Sequence, residues 1–185
     1  MLRAFIAIKV EASQSLRKVL RTLRDMGRHV RPVDPDALHL TLRFLGQTDE
    51  AQVGRIVAAV ESAVETEASF SLRIEGLGAF PDSRRPSVIW AGMEQAEPLN
   101  RIVVRIDEGL ETLGIDRDDR PWRPHLTLAR VKSRPPSQLR DLLESQAATP
   151  FATQSVSSVD LMQSDLTPAG PQYTVLASTL LTNTP

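Results

Sequence analysis

Two four-residue stretches of this chain are identical: His39-Leu40-Thr41-Leu42 and His125-Leu126-Thr127-Leu128. Each sets a hydroxyl two residues after an imidazole. On an extended strand, side chains alternate with period two, so imidazole and hydroxyl share one face and the leucines the other. One face can pack on a core while the other lines a cleft. Imidazole has an unperturbed pKa near ~6.5 and at neutral pH can hold either protonation state. Two of them make an acid/base pair, one deprotonating a nucleophile while the other protonates a departing oxygen. Cleaving a phosphodiester requires both transfers. The threonine hydroxyls can donate hydrogen bonds to non-bridging oxygens, and an arginine would offset the charge developing on phosphorus. Arg130, five residues after His125, is the first candidate. The residues do not say which histidine is acid and which is base.

A single histidine in a leucine-rich strand is most often a packed or surface residue. Duplicated packing would repeat the leucines but gives no reason to repeat both His and Thr, and that sets this pair apart. His29 has no partner motif and reads as a solvated residue or a helix C-cap. Other chemistries are poorly served. Each His-x-Thr offers one good metal ligand, with no His at helical spacing and no acidic cluster beside it. Asp116, Asp118 and Asp119 lie among arginines and suit salt bridges. There is no nucleophile elbow and no P-loop. Gly76 and Gly78 read as a turn. No metal or cofactor is expected.

The elements that must position the motifs alternate along the chain. Strands are expected over 3–9, 37–44, 70–74, 87–92, 122–129, 156–162 and 173–180, the last two around a turn at 167–171. A helix is expected over 13–28, where Leu16, Val19, Leu20, Leu23 and Met26 fall at helical spacing before Gly27. A second, capped by Thr48 or Asp49, would bury Val53, Ile56, Val57, Val60 and Val64. A third carries Leu99, Ile102, Val103, Ile106, Leu110 and Leu113 up to Gly114. Pro135 and Pro136 start a shorter one through Leu139, Leu142 and Leu143. The fold class is α+β. No linker divides residues 1–185, so a single domain with two related halves is expected.

Composition narrows the function classes. Apolar residues are 41% and charged residues 24%, as in ordinary globular domains. Absence of cysteine removes disulfides and thiolate chemistry. No stretch approaches the ~20 apolar residues of a membrane span. The apolar run between Arg3 and Lys9 is too brief for a signal sequence. A cytoplasmic monomer without a protein partner is the expectation. A net charge of −1 argues against coating nucleic acid by bulk electrostatics. Yet Arg117, Arg120, Arg123, Arg130, Lys132 and Arg134 gather around His125, either as a solvated face or as part of a site. Phe44, Trp122 and Tyr173 are candidate platforms for an unpaired base. Arg84 and Arg85 are candidate backbone contacts.

With both tetrapeptides in this order, the chain resembles the 2H phosphoesterase superfamily. Within it, the chain is most similar to the RNA 2',3'-cyclic phosphodiesterase, or 2'-5' RNA ligase-like, family. The likeness runs nearly end to end: RAFIAI at 3–8, HLTLRFLG at 39–46, PSVIWAG at 86–92, PHLTLAR at 124–130 and SDLTPAGPQY at 164–173. It implies a bilobal, pseudo-two-fold fold in which two antiparallel sheets flank a central cleft, helices outside. It implies metal-independent hydrolysis of RNA 2',3'-cyclic phosphate ends to 2'-phosphates, with weak reversible 2'-5' ligation. His39 would be the proton donor and His125 the acceptor. Thr41 and Thr127 would hold phosphate oxygens, with Arg130, Phe44 and Tyr173 binding substrate. Two alternatives stay open. One is a 2H phosphoesterase for another cyclic nucleotide or a 2'-5' oligonucleotide; the other is a module that binds RNA ends without turnover.

Overall fold

The computed structural model describes residues 1–93, 97–119, 121–168 and 170–182, so Arg120 and Ala169 lie outside it. In the described residues the order is β1 (Leu2–Lys9), α1 (Gln14–Asp25), β2 (Val30–Pro32), β3 (His39–Thr48), α2 (Val53–Val64) and β4 (Phe70–Phe80). There follow β5 (Val88–Met93), α3 (Glu97–Glu111), β6 (His125–Val131), α4 (Gln138–Ser145), β7 (Pro150–Val156), β8 (Ser158–Thr167) and β9 (Gly170–Leu180). Among the described residues no helix is long and apolar enough to cross a membrane.

The strands form one antiparallel sheet in the order β7-β4-β5-β6-β3-β1-β8-β9, with β2 also paired to β6. The two sheets expected from the sequence are its two four-strand wings. They join through one residue pair, Leu40 with Leu126, the second residues of the two motifs. Both leucines are fully buried. Outward from that pair the wings correspond, β3 to β6, β1 to β5, β8 to β4 and β9 to β7. They are not the two halves of the sequence, however. β8 and β9 return from the C-terminal end to complete the wing begun by β1 and β3, so the halves interlace.

The helices cross over too. α1 packs on β2, β6 and β7, and α4 on β4, while α2 and α3 cover β3, β8 and β9. Each turns its apolar stripe inward: Leu16, Val19, Leu20 and Leu23 from α1, and Leu99, Ile102, Val103, Ile106 and Leu110 from α3. Charged anchors hold the cover in place. Arg43 of β3, only 9% exposed, pairs with Asp107 of α3 at 3.3 Å. The Glu67 carboxylate, after α2, accepts two hydrogen bonds from Arg101 (2.9 and 2.8 Å) and one from Arg105 (3.0 Å), both on α3.

Several boundaries differ from the sequence reading. β4 does not turn at Gly76 and Gly78 but runs through both to Phe80. Gly76 sits at φ +73° in a bulge opposite β5, where a Cβ would lie 2.5 Å from the Ala147 carbonyl oxygen. The Trp90 ring covers Gly78 so closely that a Cβ would fall 2.2 Å from it. These glycines permit a bulge and a close approach rather than a turn. β2 and β7 were missed: one is three residues long, and the other is a polar edge strand burying only Phe151 and Val156.

Candidate active site

The two motif strands run antiparallel past the Leu40–Leu126 pair. That register sets His39 abreast of Thr127, and Thr41 abreast of His125. Each strand then carries a bulge at the fourth motif residue. Ala7 faces Thr41 but Ile6 faces Arg43, leaving Leu42 extra; Trp90 faces Thr127 but Ile89 faces Ala129, leaving Leu128 extra. A bulge shifts the alternation by one residue. Strict alternation would bring Arg43 and Ala129 onto the cleft face. Instead both are buried, and Phe44 (63% exposed) and Arg130 emerge there. The two strands therefore present the same pattern, His-x-Thr-x-x-Phe and His-x-Thr-x-x-Arg.

His39, His125, Thr41, Thr127, Arg130, Phe44 and Tyr173 all line one cavity of about 520 Å³. Three cations join them: Arg3, Arg31 and Lys132. Arg3 shares the alternating face of β1 with Phe5 and Ala7, a signal present in the sequence. Arg31 reaches the cavity because β2 pairs it with Arg130, a contact across about a hundred residues that no local pattern announces. Of the cationic cluster around His125, Arg130 and Lys132 enter the cavity. Arg117 pairs instead with Glu111 at 2.7 Å. His29 lies outside, its Nδ1 2.9 Å from the Ser133 hydroxyl.

Both catalytic candidates are held alike. The Nδ1 of His39 donates to the Ala37 carbonyl, and that of His125 to the Arg123 carbonyl, each at 2.8 Å and two residues upstream. A carbonyl only accepts, so Nδ1 carries the proton in each ring and Nε2 is the atom that exchanges protons with a substrate. Each imidazole leans on a phenyl ring with centroids 5.0 Å apart, His39 on Phe5 and His125 on Phe80. Tyr173 adds a third wall, edge-on to His39 at 4.8 Å. Burial raises the pKa of its phenol. Burial also pushes the pKa of His39 below the ordinary imidazole value. The carbonyl of Ala37 opposes this shift and the charge of His125 adds to it. Positive charge on His125 thus disfavours a proton on His39.

Trp122 is not a base platform. Its Nε1 donates to the Thr41 carbonyl at 3.0 Å, and its ring packs on the main core outside the cavity. It ties the approach to the second motif onto the first. Trp122→Phe keeps most of the ring and deletes this bond. The expected loss in chemical denaturation is about 1 kcal/mol, the usual worth of one hydrogen bond. Unchanged stability would mean that this bond is no brace.

A family model described as the 2'-5' RNA ligase superfamily matches residues 10–168. The RNA 2',3'-cyclic phosphodiesterase of Archaeoglobus fulgidus is 34% identical over 174 residues, 93% of this chain and 96% of that protein. The protein of the same name from Methanothermobacter thermautotrophicus is 33% identical over 93% of this chain and 95% of that one. Among solved structures, TT0787 of Thermus thermophilus superposes with a TM-score of 0.79 at 32% identity, covering 98% of both chains. LigT of E. coli complexed with 3'-AMP gives a TM-score of 0.74 at 25% identity, over 98% of this chain and 99% of that one.

Proposed function

The chain belongs to the 2'-5' RNA ligase superfamily, and from that premise we propose that its cleft opens 2',3'-cyclic phosphates at RNA ends, leaving 2'-phosphomonoesters. One observation carries this reading: two imidazoles, locked in the same tautomer by matching backbone bonds, turn onto one cavity with two threonines and an arginine. A site for binding alone has no need of a matched acid and base. LigT of E. coli, whose fold this chain shares, is known in complex with 3'-AMP, which supports a ribose phosphate as a ligand.

In the proposed reaction the Nε2 of His125 takes a proton from water as its oxygen attacks phosphorus. The P–O3' bond breaks opposite, and the Nε2 of His39 gives its proton to the departing 3' oxygen. Thr41 and Thr127 donate to the non-bridging oxygens, and Arg130 offsets their growing charge. Ligation would be the same exchange reversed, with an RNA hydroxyl in place of water. Giving His39 the donor role follows the family resemblance and has an electrostatic requirement. In the free cleft burial and His125 favour the neutral ring, so the anionic phosphate must draw a proton onto His39 as it binds. Phe44, at the rim with its ring open to solvent, would stack on the terminal base.

The test is hydrolysis of a nucleoside 2',3'-cyclic phosphate in excess chelator, with the product read by phosphorus NMR. The expected product is the 2'-phosphate, at an undiminished rate. A 3'-phosphate product, or loss of turnover to the chelator, would overturn the mechanism.

A further inference from the structure

Beside the catalytic cavity lies a second one of about 440 Å³, between the loop joining β4 to β5 and the start of α4. Arg84 enters it from the loop, Arg134 from the segment after β6, and Arg140 from α4, and all three are exposed. Asp141 is the one carboxylate among its lining residues, and none of the three guanidinium groups forms an ion pair among the described residues. The loop is held rather than loose, because the Asp82 carboxylate accepts the backbone N–H groups of Arg84 and Arg85 at 2.7 and 3.0 Å.

The two cavities are joined by one stretch of chain. Past the bulge, Arg130 and Lys132 turn into the catalytic cavity, and Arg134, two residues further on, lines the second. Ser133 makes a bend between Lys132 and Arg134, and two residues of chain span at most about 7 Å. Positive charge therefore continues from His125 through Arg130 and Lys132 to the Arg84, Arg134 and Arg140 cluster. Guanidinium forks match phosphate oxygens, and a backbone with repeating phosphates fills such a row better than a single anion.

The geometry points to a phosphate subsite at Arg84, Arg134 and Arg140 that holds the RNA backbone a few nucleotides upstream of the cyclic end. It rests on the hydrolytic reading above and makes an RNA chain, rather than a free nucleotide, the substrate. The test is an Arg84→Ala/Arg134→Ala/Arg140→Ala variant, assayed on a nucleoside 2',3'-cyclic phosphate and on a short single-stranded RNA ending in one. The nucleotide should be hydrolysed as by the wild type. For the RNA, KM should rise about tenfold or more with kcat retained. Each single-strand phosphate contact contributes about 0.7 to the slope of log KM against log salt, so the slope should fall by about 2.

Equal KM values and salt slopes for the RNA would overturn the subsite, as would matching losses on nucleotide and RNA. Anisotropy with an RNA ending in a 2'-phosphate reads the subsite without turnover. If the wild type hydrolyses nothing yet only the variant loses RNA affinity, the subsite stands and the hydrolytic reading falls. Displacement of that RNA by polyglutamate as effectively as by RNA of equal charge would overturn the assignment to nucleic acid.

Discussion

His39→Ala and His125→Ala are each expected to lower kcat/KM for a nucleoside 2',3'-cyclic phosphate by about 10²–10⁴-fold, the range for removing a general acid or base. The double variant should fall little below the worse single one, because groups acting in one proton-transfer sequence are not additive. The two singles are told apart by the leaving group. With sulfur in place of the 3' bridging oxygen, the departing thiolate needs no proton. His39→Ala should recover on that substrate while His125→Ala stays slow. Recovery by the second variant instead would exchange the roles. The pH profile gives an independent reading. The pKa of His39 is lowered, so its titration falls on the acid side of 6.5. That limb should vanish from the kcat/KM profile in His39→Ala. In His125→Ala it should move upward, since the like charge across the cleft is gone. Wild-type rates in both singles would end the two-histidine mechanism.

The shared placement of the motif residues was legible because it rests on local pattern. Period-two alternation put His and Thr on one face in each motif, and both pairs line the cavity. Alternation alone would have carried on to Arg43, which the bulge at Leu42 buries against Asp107 while Phe44 turns outward. A bulge is set by the neighbouring strand, and single-strand periodicity does not register it. Long-range partners were invisible for the same reason. Arg31 reaches the cavity through a three-residue strand paired with β6, and β7 is too polar to signal itself. Gly76 and Gly78 show one residue type serving different ends. A sequence reads them as a turn, and only the Ala147 carbonyl and the Trp90 ring make them a bulge and a close approach. The interlacing of the wings was likewise beyond reach. The motifs repeat in order, but the strands that flank the first come from both ends of the chain.

The largest loss of stability is expected at a junction outside the cavity lining, where α2, α3 and the segment after β9 meet. Glu67 is 4% exposed, and the helices α2 and α3 meet across its carboxylate. Its own carbonyl accepts from the Thr182 backbone N–H at 2.9 Å, tying in the segment after β9. Glu67→Ala removes three charge-assisted bonds at once. Breaking a fully buried pair costs about 3–5 kcal/mol. Arg101 and Arg105 remain partly solvated, 47% and 38% exposed, so the lower end, about 3 kcal/mol, is expected by urea unfolding at pH 7. The pH dependence identifies the cause. Hydrogen bonding from Arg101 leads the effects that outweigh burial and hold the Glu67 carboxyl below its ordinary 4.5. A lowered folded-state pKa means that the stabilisation is complete above 4.5 and is lost as pH falls through the folded value. The gap between wild type and Glu67→Ala should therefore be widest near neutrality and narrow below pH 4.5. Glu67→Gln should behave at pH 7 much as the protonated wild type does at low pH, keeping the shape but not the charge. A gap that stays constant into strong acid would assign the loss to packing, leaving the two arginines without an energetic role at this junction.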